Sequence, residues 1–469
     1  MFAEARQHLQ RAGRATVAVV GSGISGLAAA HTLQGLADVT LFEAGDYFGG
    51  HTHTVDVTLP DAQGRQQTFG VDTGFLVLNE RTYPNLLALF AQLDVPVVPS
   101  DMSFSVQAQG LGPQGGKLEW SGTSLSSVFA QRANLVNPTF LRMLADIVRF
   151  NKLCTRLAEQ GLDAPTGPLM QPLGDFLREQ RFSNAFRDGY FLPMLGCIWS
   201  CPTDQMLAFP VATMVRFCHN HGLIQLTQRP QWFTVPQGAR RYVQKIVQGL
   251  PDARLNSPVR ALLRDSQGVR VVTDAQVEHF DAVVLACHSD QALRILGEGA
   301  SVAEAQTLGA IRYQPNQAVL HTDTTTLPER PLAWAAWNYE RATDAGRESA
   351  QVCLHYLINK LQPLPVEQPV VVSLNPHRPI DPARVIDQFE YAHPVFDLGA
   401  IRAQARMPDL QGQQHTYFAG AWMGYGFHED GLKAGLQAAR CLMRDLGLAA
   451  DATVSASAQR QAALPGVFA

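Results

Sequence analysis

Continuous apolar runs and alternating ones divide this chain before any motif is considered. "TVAVV" (16–20) and "VTLF" (39–42) are unbroken apolar runs flanking a glycine-rich turn and a second apolar stretch. Unbroken runs of this length mark strands buried on both faces of a parallel sheet, so residues 16–45 read as strand, turn, helix, strand. "AVVLAC" (282–287) and "HTYFAGAW" (415–422) are two more buried-type strands, while residues 255–281 alternate apolar and polar positions. Residues 139–161 carry apolar positions at helical spacing and predict an amphipathic helix. Leu432, Leu436, Ala439 and Met443 do the same near the C-terminus, predicting a helix that starts near Asp430 with Asp430 as its N-cap. The most apolar and aromatic stretch, 185–221, is interrupted by Pro193, Pro202 and Pro210, so no single helix spans it. It packs a core, lines a tunnel, or does both.

These runs imply an α/β fold (α+β overall) with a Rossmann-type nucleotide domain built from separated segments, 1–74, 236–299 and 406–448. A substrate domain, 75–235 and 300–405, is interleaved with it, and 449–469 reads as a poorly ordered tail.

Gly21, Gly23 and Gly26 form G-x-G-x-x-G between a strand and a helix, and Glu43 ends the next strand. Glycines there let the backbone approach a pyrophosphate, the helix N-terminus supplies positive potential, and an acid at that distance binds ribose hydroxyls. NAD and FAD both use this fingerprint. "FEAGDYFGGHTHT" (42–54), "VDTGFLVLN" (71–79) and the glycine-led "DGLKAG" (430–435) favour FAD.

Composition narrows the class. The chain has 469 residues, 46% hydrophobic and 17% charged, with a net charge of −4. That excludes a disordered chain and argues against a nucleic-acid binder. No apolar run is long enough to span a bilayer, and the N-terminus lacks an apolar signal core. Seven scattered cysteines suit reduced thiols in the cytosol. The pairs His51/His53 and His219/His221 have no neighbours to complete a ligand set, so no metal is expected.

The motifs "VAVVGSGISGL", "LFEAGDYFGGHTHTV", "DTGFLVLNERTYPNLLALF", "SDMSFSV", "RPQWFTV", "AAWNYE", "VCLHYLINKLQ" and "FAGAWMGYGFHEDGLKAG" resemble those of the FAD-dependent amine-oxidase-like superfamily. Within it they are most similar to flavin-oxidase-like proteins associated with cyclopropane fatty acid synthases. In plants these are fused to the synthase; in bacteria they stand alone, as the end of this chain after the flavin helix would suit.

The resemblance implies noncovalent FAD. It assigns Gly21, Ser22, Gly23, Ile24, Ser25 and Gly26 to the pyrophosphate and Glu43, with Ala44 beside it, to the adenosine ribose. Gly50, His51 and Thr52 fall to the phosphates or ribityl chain, Val259 to the adenine, and Gly74 and Phe75 to the isoalloxazine. Gly420 and Ala421 lie nearby, and Gly420, Gly424 and Gly426 read as room for the flat ring. Gly431 and Leu432 read as free helix N–H groups facing its N1–C2=O2 edge. Two positions depart from the superfamily: His51 replaces an arginine and Ala421 an acid.

For chemistry, the resemblance implies a fatty acyl substrate, desaturated by hydride loss at an allylic carbon, with O2 as acceptor. A methyltransferase is the implied partner, and the implied location is cytoplasmic, with peripheral contact at the inner face of the membrane. His428 is the first candidate base, then Tyr425, with Asn338 and His355 behind them. An amine oxidase is the rival reading, for which Trp337, Tyr339 and Tyr425 could cage a cation. A non-catalytic flavoprotein partner of the methyltransferase is a third.

Overall fold

The computed structural model describes residues 14–159, 171–199, 203–225, 229–342 and 351–448. Five parallel strands form one sheet: β1 (Thr16–Val20), β2 (Asp38–Phe42), β3 (Asp252–Arg254), β4 (Ala282–Leu285) and β5 (Thr416–Phe418), in the order β3-β2-β1-β4-β5. Helix α1 (Ile24–Leu33) crosses from β1 to β2 and is apolar nearly all round, because it is buried. The strands come from three stretches far apart in sequence. The tail call, 449–469, lies outside the described residues.

A seven-stranded sheet stands beside this one, in the order Val385–Val395, Arg312–His321, Val371–Leu374, Cys353–Leu357, Trp337–Arg341, Phe104–Ala108, Leu118–Ser121. It is antiparallel except where Trp337–Arg341 runs parallel to Phe104–Ala108. Helix Pro138–Glu159 buries Phe140, Met143, Ile147, Phe150 and Cys154 along one stripe, as its periodicity predicts. One apolar cluster runs through both halves, from Val17 and Leu27 to Phe150, Leu195 and Leu354.

Residues 185–221 form several helical pieces, but Pro193 is not one of the breaks. Helical backbone continues from Asn184 to Trp199, with a π turn at Arg187–Phe191 just before the proline. Proline cannot donate to the carbonyl four residues back, that of Gly189. The Trp120 indole N–H donates to that carbonyl instead, at 3.2 Å. Pro210 does delimit a helix, preceding Val211–Asn220.

Helix α2 (His428–Asp445) packs directly on α1. A Cβ on Gly435 would overlap the Ser25 carbonyl oxygen, and one on Gly431 would lie 2.7 Å from Ile24 Cγ2. The crossing therefore requires hydrogen at both positions. Gly435→Ala should destabilise the fold by about 1–3 kcal/mol, the range for overpacking a tight contact. Urea denaturation, read by tryptophan fluorescence, measures this.

Candidate active site

α1 opens directly after the glycine loop. Gly21 has φ +101°, and a Cβ there would lie 2.8 Å from the Ala286 carbonyl oxygen. Gly26 is closed off by the Gly21 carbonyl. A Cβ on Gly23, by contrast, would meet nothing within 4 Å. The loop is thus locked from below and open above, which fits a diphosphate resting on the helix N-terminus. The Glu43 carboxylate accepts from Ser22 N–H at 3.0 Å, Ser22 O–H at 2.5 Å and Gly45 N–H at 2.8 Å. Gly49 N–H donates to Ser22 Oγ at 3.1 Å, and a Cβ on Gly50 would lie 3.1 Å from Gly23 Cα. The Gly49–Gly50 turn therefore packs against one side of the loop, with His51 and Thr52 following it. Ala44 is exposed at the turn beyond β2, and Val259 begins a separate three-stranded antiparallel sheet.

Thr52, Phe75 and His428 converge. His428 Nε2 lies 2.8 Å from Thr52 Oγ1 and 3.0 Å from Tyr242 OH, and those two oxygens are 2.6 Å apart. The Phe75 ring stacks on the imidazole at 3.8 Å. Phe75 N–H donates to the His51 carbonyl, against which Gly74 also packs. Burial pushes the His428 pKa down to about 3. The imidazole is neutral at physiological pH.

The last helix begins earlier than its periodicity suggests. It starts at His428, so Asp430 is not the N-cap. Its carboxylate reaches back to accept from Tyr425 N–H at 3.0 Å and Phe427 N–H at 3.1 Å. Gly431 N–H bonds to the Phe427 carbonyl, so Gly431 and Leu432 lie inside the helix and do not offer free N–H groups. The unsatisfied positions are His428, Glu429 and Asp430.

The glycines before the helix also differ from expectation. Gly420 leaves space for the Trp422 indole, Gly424 for the Asp430 carboxylate and Gly426 for the Phe396 ring. Ala421 lies against the Gly431 backbone. Glu429 accepts from Asn85 N–H at 3.1 Å, Asn85 Nδ2 at 2.6 Å and Leu86 N–H at 3.0 Å, capping helix Pro84–Gln92 from outside.

Other candidates are engaged elsewhere. Asn338 is fully buried, bonded to Ser105 Oγ and to the backbone of Ala335 and His355. The three rings of the supposed cation cage face different neighbours: Tyr339 packs on Gly196, Trp337 stands edge-on to Tyr356, and Tyr425 meets Phe217. Among the described residues, Glu340, Cys353 and His355 are grouped closely enough to ligate a metal. A hydrogen-bond chain fixes their protons otherwise. Asp323 N–H donates to His321 Nδ1, so the neutral His321 donates through Nε2 to Ser373 Oγ at 2.6 Å. Ser373 then donates to His355 Nδ1 at 2.7 Å, leaving His355 Nε2–H to donate to Glu340 at 2.9 Å. A metal at this group would have to displace the proton that His355 Nε2 shares with Glu340.

The sequence reading missed Tyr242, which sits in helix Arg240–Gln248 with no motif to mark it. It also missed His288 and His393, whose rings lie 6.0 Å and 5.5 Å from that of His51. His288 follows a buried-type strand, and that was its only signal.

A family model for flavin-containing amine oxidoreductases matches residues 24–443. The chain belongs to this family. It is an FAD-dependent oxidoreductase. A CLA-producing fatty acid isomerase from P. acnes has the same fold, at TM-score 0.61 and 16% identity over 92% of this chain and 98% of that one. Cyclohexylamine oxidase from Brevibacterium oxydans IH-35A matches at TM-score 0.62 and 17% identity, over 93% and 100% of the two chains. Putrescine oxidase bound to putrescine matches at TM-score 0.64 and 17% identity, over 92% and 99%. These likenesses establish the shared fold. Comparison with curated protein sequences yields no match.

Burial lowers the pKa of eight histidines: His221, His321 and His393 to about 4, His428 to about 3, His51 well below its usual value, and His31, His53 and His288 to a smaller extent. The unfolded chain protonates these rings near pH 6.5, before the folded one does, so stability falls as pH drops below that value. Asp72, pushed up to about 7 by burial, opposes this with a single proton. Urea titrations at pH 7 and pH 5 should therefore show lower stability at pH 5. Replacing His221 and His321 with Phe and Gln should make that pH dependence shallower.

Proposed function

We propose that this oxidoreductase desaturates an unsaturated or methylated fatty acyl chain, held on a phospholipid, by hydride removal at an allylic carbon. The observation that carries this reading is the fate of the acids beside the site. Glu429 and Asp430 both accept from the chain's own N–H groups, while Tyr425 meets the ring of Phe217, on which Phe427 stacks. An ammonium group would find aromatic rings there and no uncommitted carboxylate. An acyl chain requires only apolar contact.

Bound FAD would supply the two-electron redox chemistry, with O2 as the final acceptor. The glycine loop would hold its diphosphate, Glu43 its ribose, and Gly74 and Phe75 the approach to its ring. The chain's own task is then to take the proton from the carbon next to the allylic centre, leaving a conjugated diene. That proton is strongly acidic once hydride has left, so even a neutral imidazole of low basicity can receive it. His428 fills this role in our reading, with Tyr242 and Thr52 fixing its ring. A methyltransferase of the cyclopropane-synthase type would supply the methylated chain.

The family and the two amine oxidases that share the fold support a second reading, oxidation of an amine. Anaerobic mixing decides between them. Bleaching of the flavin absorbance by phospholipid vesicles, and not by polyamines, is the expected result; the reverse would establish the amine reading.

Because the His428 ring is already neutral above about pH 3, the reduction rate should stay flat between pH 5 and 9. A fall centred near 6.5 would mean a different base. His428→Phe should keep FAD yet slow turnover by about 100-fold or more.

A further inference from the structure

Large exposed aliphatic side chains are concentrated on one short span. Leu125 is 80% exposed, Leu135 50%, Val136 83%, Leu141 43% and Val148 38%. Leu332, 57% exposed, joins them, because its turn Pro331–Ala333 packs against helix Leu125–Val128. Leu141, Ala145, Val148 and Lys152 recur on the outer face of helix Pro138–Glu159.

The same span is basic within an acidic chain. Residues 122–159 carry Arg132, Arg142, Arg149, Lys152 and Arg156 against only Asp146 and Glu159, whereas the whole chain has a net charge of −4. Asp146 is buried beneath Arg142 and Arg149 and also accepts from Ser183 N–H. The outward charge of this face is therefore positive. A cavity of about 370 Å3 opens beside Asn137 and Thr139 and is lined by Leu111, Leu118, Phe140 and Met143.

We propose that this face, residues 122–159 with the 331–333 turn, seats the protein on an anionic phospholipid bilayer. The aliphatic side chains enter the boundary between head groups and acyl chains, and the arginines and Lys152 lie among the phosphates. Long basic side chains suit that arrangement, since their stems stay apolar while their heads reach the phosphate layer. A protein partner would call for central aromatic anchors, and the exposed side chains here are Leu and Val. The choice of a lipid rests on the acyl-chain reading of the active site; the surface itself does not.

The test is co-sedimentation of the FAD-loaded protein with vesicles. Vesicles of phosphatidylcholine containing phosphatidylglycerol should carry the protein into the pellet. Pure phosphatidylcholine should bind about tenfold more weakly, and added salt should release the protein. Leu125→Asp/Val136→Asp and Arg132→Glu/Lys152→Glu should each weaken binding by about tenfold or more. Both pairs are exposed, so unchanged circular dichroism and flavin absorbance are expected, as is unchanged turnover of phospholipid dispersed in detergent micelles.

Wild-type protein that stays in the supernatant, or variants that pellet like the wild type, would overturn the proposal. Equal binding to neutral vesicles would overturn its electrostatic half. Protein that binds vesicles through this face yet is reduced by no lipid leaves the surface standing and removes the acyl-chain reading instead.

Discussion

The contact on which the site depends is the glycine-faced crossing of α1 and α2. Two helices separated by about four hundred residues approach until backbone touches backbone, because Gly431 and Gly435 offer no Cβ to Ile24 and Ser25. The consequence is electrostatic as much as steric. Each helix carries partial positive charge at its N-terminus, where N–H groups lack partners. The crossing brings the two ends together, one at the glycine loop and the other at His428. An anionic cofactor bound there would find oriented donors at both helix ends without a buried arginine or lysine.

Charge is otherwise withheld from this region. Glu429 and Asp430, which look like a catalytic pair in the linear sequence, each satisfy backbone donors: Glu429 those of a neighbouring helix, Asp430 those of its own entry turn. His428 is held neutral by burial, with its Nε2 shared between two hydroxyls. The result is a site that binds by shape and dipole.

The seven-stranded sheet and its helices hold up the other wall, and local rules are bent there where a long-range partner compensates. Pro193 lies within helical backbone because the carbonyl it cannot serve, that of Gly189, receives the indole N–H of Trp120 from another strand. The buried chain from His321 through Ser373 and His355 to Glu340 is likewise satisfied across four strands, each proton assigned by its neighbour. Buried polar groups of this kind are tolerated only when every member is paired.

The sequence by itself determined what lies within one strand–turn–helix unit. The unbroken apolar runs required a parallel sheet, and Gly21 and Gly26 admit no side chain at the close approach they make. The amphipathic period of 139–161 was legible for the same reason: helical spacing is a property of neighbours along the chain. Only the tertiary structure decided which side chains meet. Thr52 and His428 are 376 positions apart, and Tyr242 comes from a third segment. Nor could periodicity locate the start of the last helix. Hydrophobic spacing begins at Leu432, but the helix begins at His428, because Asp430 folds back onto the preceding turn and Glu429 is claimed by helix Pro84–Gln92. Those two hydrogen-bonding partners lie outside the repeat, and they set where the helix N-terminus, and with it the site, is placed.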